Sequence, residues 1–170
     1  MKRFFIVFLA FSLLLSLTAC QKKRSAANAV SEIVDAEASR PSGQLYSLSA
    51  KEGDEGYAPD DMLLSVYGFD RSLKGLEDGA VWLSECFHPF EAAVFVCSDY
   101  RSAEDVAIHL KNRLALLQSN AAEAAELCKM KVEEYRNYVD NGIVIISGDR
   151  VALIVSSDPR TAKRAFLSAG

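Results

Sequence analysis

The chain has 170 residues, carries 19 Lys plus Arg against 23 Asp plus Glu for a net charge of −4, and is 50% hydrophobic. That size suits one domain that buries a core without disulfide or metal staples, and the acidic balance excludes a non-specific nucleic-acid binder, which needs a basic face. Two histidines and no Cys-x-x-Cys pair leave little material for a metal centre.

At the start, Met1-Lys2-Arg3 precedes an apolar stretch from Phe4 to Leu17 and then Leu17-Thr18-Ala19-Cys20. The stretch is shorter than the roughly 20 residues a spanning helix needs, and the whole resembles a bacterial lipoprotein signal with its lipobox. The resemblance implies removal of residues 1–19, diacylglycerol on the Cys20 thiol and a further acyl chain such as palmitate on the new amino terminus. The protein would then sit at the extracytoplasmic face of the cell membrane with lipid as its anchor, since two or three acyl chains hold stably where one does not. Lys22, Lys23 and Arg24 run against a strict positive-inside count. On the exported side they would lie beside head groups, each adding about 1 kcal/mol on an anionic surface. Residues 20–29 read as the lipidated tether, of which 21–29 reach about 30 Å when extended, and residues 30–170 as a single domain.

Within that domain Val30, Ile33 and Val34 fall at helical spacing, with Pro41 and Gly43 as a stop. The polar stretch 42–58, centred on Lys51-Glu-Gly-Asp-Glu-Gly56, reads as a mobile, exposed loop. Asp60 to Tyr67 is a helix with acids in its first turn and Gly68 as its left-handed cap, leaving Phe69 to fold back on Leu64. Ala80 to Cys86 and Glu91 to Cys97 form a hairpin around Phe87-His-Pro-Phe90. Ser102-Ala-Glu-Asp105 matches a capping box, and Val106, Leu110, Leu114 and Leu117 make the stripe of the helix behind it. Leu127, Met130 and Tyr135 continue the periodicity, either in one long helix or in two with a break at Ser119-Asn120. Val139 to Ser147 and Arg150 to Ser156 are strands joined at Gly148-Asp149. Their unbroken apolar runs imply cover on both faces and a central place in the sheet. Asp158-Pro159 opens the last helix as N-cap and first turn.

If Cys20 carries lipid, Cys86, Cys97 and Cys128 are an odd set. With residues 87–90 as the hairpin loop, Cys86 faces Glu91 and Cys97 faces Ala80, too far apart for a bridge. Buried reduced thiols are expected.

The order of Val30 to Val34, Asp60-Asp61 leading to Val66-Tyr67-Gly68-Phe69-Asp70, Glu91-Ala-Ala-Val-Phe95, the Ser102 to Arg113 helix and the Gly148 hairpin resembles a family of lipoproteins from Gram-positive bacteria. That family is known only as a domain of unknown function. The likeness spans about Val30 to Phe166 and implies a surface lipoprotein, with no activity and no site residues to carry over. Cys97 and Ser98 stand where the family pattern has a charged residue.

Four constellations invite chemistry. Cys86-Phe87-His88 with Cys97, Cys128 or His109 supplies zinc-type ligands but lacks their spacing; His88 reads instead as a loop cap and His109 as a core edge. Glu52, Asp54, Glu55, Asp60 and Asp61 lack the ladder of a calcium loop and read as a solvated stretch. Glu85 and Glu91 bracket the hairpin in the manner of an acid/base pair, although hairpin ends usually expose their charges. Trp82 and Phe87 become partner contacts if they prove exposed. No nucleophile elbow, phosphate loop or His-Glu-x-x-His helix is present.

The expectation is therefore an α+β domain with a small antiparallel sheet of about four strands in two hairpins, packed by helices. It has no catalytic residues, metal or cofactor, and its partners are the membrane through Cys20 and an unidentified protein or small molecule. The leading role is a non-catalytic binding or accessory module. An unrecognised hydrolase or metal-dependent enzyme, or a structural subunit of an envelope complex, are the alternatives.

Overall fold

The computed structural model describes residues 25–38 and 41–169. Leu17, Thr18, Ala19 and Cys20, with the basic triplet after them, lie outside that range.

The described chain runs α1 (Ala26–Asp35), β1 (Gly43–Ser47), α2 (Asp60–Tyr67), β2 (Leu76–Ser84), a 3-10 turn (Glu85–Phe87), β3 (Glu91–Cys97), α3 (Tyr100–Ser119), α4 (Ala121–Leu127), α5 (Val132–Val139), β4 (Ile143–Ser147), β5 (Arg150–Val155) and α6 (Pro159–Ser168). The five strands form one open antiparallel sheet in the order β1-β2-β3-β5-β4. The class is α+β, with one strand more than expected.

Alternation along β3 divides the molecule into layers, because successive side chains leave a strand on opposite faces. Glu91 and Phe95 point to the face covered by α2 and α3, where Arg113 and Tyr67 meet them. Ala92, Val94 and Val96 point to the face covered by α1 and α6. With helices on both sides and strands on both edges, all seven residues of β3 are buried. The α1 face carries Val30, Ile33 and Val34 inward, as their spacing predicts. Arg150, on the same face, donates to the carbonyls of Phe166 (3.2 Å) and Ala169 (3.0 Å), placing a cation at the negative end of α6.

The differences from expectation have local causes. Gly43–Ser47 is an edge strand, so the stretch 42–58 is only in part a loop. Even its acidic turn is stitched back, with Ser47 N donating to Gly56 O at 2.7 Å and Ala58 N to Ser47 O at 3.3 Å. Helix α1 begins at Ala26 and not near Val30, because Ser25 caps it and Asp78 Oδ2 accepts the Ala26 N–H at 3.0 Å. Asp99, not Ser102, caps α3, accepting from Ser102 N at 2.8 Å. Phe69 turns away from exposed Leu64 and packs edge-on to Phe95, ring centroids 5.1 Å apart. Val139 closes α5 and does not open β4, and β4 lies at the sheet edge, half-buried along its whole length. Only β5 of that hairpin is interior and fully buried. Gly68 does take the left-handed cap, at φ 75°, and Asp158 caps α6 with Pro159 in its first turn.

Candidate functional site

The first residue of β3 sets the site. Glu91 begins an otherwise apolar strand and is 4% exposed. A bare carboxylate at that depth would cost several kcal/mol, and three donor groups meet it. Arg113 of α3 donates through Nη2 at 2.7 Å and through Nε at 3.2 Å to Oε2, and Tyr67 of α2 donates its hydroxyl to Oε1 at 2.9 Å. Burial first, and then the negative charge of Glu91, push the Tyr67 hydroxyl far above the usual tyrosine range, so it stays a donor. Burial alone would pull the Arg113 guanidinium down; the charge and hydrogen bonds of Glu91 outweigh it and hold it above the ordinary arginine value.

Beside Glu91 and Arg113 lies a hollow of about 410 Å³ between the turn from β2 to β3 and helices α3, α4 and α5. Leu83, Phe87, Phe90, Leu116 and Leu117 give it apolar lining, and Glu91 and Arg113 share its polar lining with Ser84, His88, Asn120 and Tyr135. The volume falls within the ordinary range for small-ligand pockets, roughly 300–1,000 Å³. Arginine has five N–H donors, and Glu91 engages only Nε and Nη2, so Nη1 has no hydrogen-bond partner among the described residues. The turn that walls the hollow is strained: Cys86 (φ 55°) and Phe87 (φ 60°) are consecutive left-handed residues without being glycine. Each such residue costs on the order of 1–2 kcal/mol and persists only where its surroundings hold it. Part of that hold is visible. Ser84 Oγ donates to Phe90 O, and His88 Nδ1 accepts the Phe90 N–H at 3.2 Å.

No protein family, curated protein or solved structure matches the chain.

The residues singled out in the sequence are distributed as follows. Phe87 is 65% exposed on the rim of the hollow, whereas Trp82 is 9% exposed on the opposite sheet face, laid over Gly43 so closely that a Cβ there would come within 2.7 Å of its Nε1. Glu85 is exposed in the turn and Glu91 is buried, so the two do not form a pair. Cys97 is buried opposite Leu76, four residues along β2 from the expected Ala80, and burial pushes its thiol up to about 11. Cys86 is exposed, against the expected burial, and Cys128 is half-buried. Cys86, His88 and Cys128 do line one small hollow, yet no group of three His, Cys, Asp or Glu among the described residues is placed to hold a metal ion. His109 meets the ring of Phe69 at 5.2 Å, at the edge of the core. Of the acidic run, Asp60 pairs with Arg71 and Asp54 accepts from Lys51 N; the remainder is solvated.

Sequence reading missed the Glu91, Arg113 and Tyr67 trio, although one signal for it exists. Counting from Val106 and Leu110, Arg113 falls where the apolar stripe of α3 continues to Leu117, and a charge on a buried stripe needs a buried partner.

His88 gives the turn a pH dependence. Burial lowers its pKa from the ordinary 6.5, against the opposing pull of Glu37 and Glu134. A protonated ring cannot accept the Phe90 N–H. The unfolded chain then binds the proton more readily than the fold, so this share of stability is complete above the ordinary histidine value and falls away as pH drops below it. Urea titrations between pH 7 and pH 5 should show declining stability, and His88→Asn, which keeps an acceptor near the position of Nδ1, should flatten the slope. An unchanged slope in that variant would assign the acid sensitivity elsewhere.

Proposed function

We propose that the chain is a lipoprotein held by Cys20 at the outer face of the cytoplasmic membrane, and that its domain is a non-catalytic module binding a small amphiphilic molecule in the hollow beside Glu91 and Arg113. The anchor rests on the lipobox-like Leu17-Thr18-Ala19-Cys20 and on the length and flanks of the apolar stretch before it. Because α1 begins at Ala26, the tether between lipid and fold is short, reaching roughly 20 Å when extended. The binding reading is carried by one observation: a hollow with much apolar lining takes in Arg113, whose charge is neutralised by Glu91 while its Nη1 has no hydrogen-bond partner among the described residues. Such a lining suits a neutral acceptor, a carbonyl or hydroxyl, on an apolar body; an anion would meet Glu91 as well as Arg113. The ring of His88 supports a non-catalytic role, since an Nδ1 already accepting the Phe90 N–H leaves the proton on Nε2 and the ring is not poised as a base for Cys86.

Two measurements test this. The chain expressed with its own leader should fractionate with membranes, and Cys20→Ala should lose the lipid mass on the amino-terminal peptide. An unlipidated Cys20 in a membrane-bound wild type would refute the anchor. For the site, N-acetyl-leucinamide should shift the NMR signals of Arg113 Nε–H and the Leu117 methyls. Leu117→Trp, which fills the hollow, should weaken binding about tenfold or more, roughly 1.4 kcal/mol or above. Shifts confined to other surfaces, or equal binding by the filled variant, would refute the site.

A further inference from the structure

Three thiols belong to the folded domain, and they divide by place. Cys97 is sealed in the central strand. Cys86 and Cys128 both line a second hollow of about 240 Å³, between the turn after β2 and the chain leaving α4, with His88 and Glu85 beside them. Cys86 is exposed, and the Cys128 thiol makes one weak hydrogen bond, to Ala125 O at 3.5 Å. The backbone marks both segments. Cys86, Phe87 and Lys129 are the left-handed non-glycine residues of the described chain, so the strained positions include one of these cysteines and the residue following the other.

We propose that Cys86 and Cys128 are partners in a reversible intramolecular disulfide that fastens the β2–β3 turn to the end of α4. The bond needs Cα atoms within about 7 Å and a side-chain dihedral near 90°; the intervening hollow is the space that closes as the exposed turn moves toward α4. The oxidant is a small-molecule disulfide. The Cys86 thiol gives its proton to water, and the thiolate attacks one sulfur of glutathione disulfide, releasing one glutathione thiolate. The Cys128 thiolate then attacks the Cys86 sulfur of that mixed disulfide and releases the second glutathione. Two protein thiols lose two electrons and two protons, and the oxidant becomes two thiols. The same turn supplies Cys86, Phe87 and His88 to the wall of the larger hollow, so the bond also fixes that wall. The inference stands whatever ligand the larger hollow takes. Disulfides of this kind persist outside the cytoplasm, where thiols are not kept reduced.

The test uses the full chain in detergent, reduced, then equilibrated with glutathione disulfide, alkylated and mapped by peptide mass spectrometry without reduction. A Cys86–Cys128 cross-linked peptide should dominate and disappear with dithiothreitol, while Cys97 alkylates only after denaturation. Cys97→Ser should leave the cross-link intact, and Cys128→Ser should stop at glutathione on Cys86. A wild type that also stops at that adduct, pairs Cys86 with Cys97, or links Cys86 between two chains would overturn the proposal.

Discussion

Arg113→Met should destabilise the domain by about 3–5 kcal/mol in urea denaturation, because it strands a buried carboxylate. The two ends of the pair are not equivalent. The Glu91 side chain is 5% exposed and that of Arg113 is 20% exposed, so water reaches the guanidinium more readily than the carboxylate when its partner is lost. Glu91→Gln should therefore cost clearly less than Arg113→Met. Tyr67→Phe, which removes one hydrogen bond to the charge, should cost about 1.5–3 kcal/mol. Acid that protonates the stranded carboxylate should relieve much of the Arg113→Met penalty. Replacing both charges, Glu91→Leu with Arg113→Met, should recover most of the loss, since apolar substitutes for a buried pair are often neutral or better. That double variant also separates stability from binding: a folded domain without the charged pair should no longer take up a neutral amphiphile. Equal costs for the two single charge variants would show that Glu91 is hydrated.

The parts of the fold that were legible in the sequence are those whose cause is local. Gly68 ends α2 because a left-handed cap favours glycine, Asp158 and Pro159 start α6 from within one turn, and Glu91 to Cys97 is recognisable as a strand by composition alone. What was illegible depends on partners distant in sequence. The five residues of β1 carry too little apolar pattern to announce a strand; their pairing with β2 and the seat of Trp82 over Gly43 make them one. The apolar run of β4 suggested a central place, yet its position at the edge is set by β5 pairing with β3 on its other side. The candidate site shows the same division. Phe87 could be marked as a possible contact from the chemistry of its turn, whereas Glu91 looked like an ordinary hairpin end. Nothing adjacent to it reveals that Arg113, 22 residues on, and Tyr67, 24 residues back, converge there.

Phe95→Ala should cost about 3–5 kcal/mol, and it should reverse the sign of a second substitution. The ring of Phe95 is fully buried where β3 crosses the aromatic cluster, edge-on to Tyr67 at 5.6 Å and to Phe69 at 5.1 Å. Deleting such a ring loses both transfer energy and packing. The cross-strand partner of Phe95 is Gly79, and a Cβ on Gly79 would lie 2.5 Å from Phe95 Cδ1. In the wild type, Gly79→Ala must displace a ring already fixed by its two aromatic neighbours, so it should destabilise by about 1–3 kcal/mol as an overpacked core does. With Phe95→Ala the larger obstacle is gone, and only Leu48 Cδ1, 3.1 Å from the new Cβ at the end of a flexible side chain, has to shift. Gly79 is then an unneeded glycine in a strand interior, and alanine there should stabilise by about 0.5–1 kcal/mol through the smaller entropy loss on folding. A double-mutant cycle in urea reads the difference directly as a coupling energy. If Gly79→Ala costs the same in both backgrounds, the ring is free to move and the close approach of β2 to β3 has another cause. If its sign reverses, the glycine is present to admit the ring, and the sheet face beneath α2 and α3 is set by Phe95 filling the place of a side chain that β2 lacks.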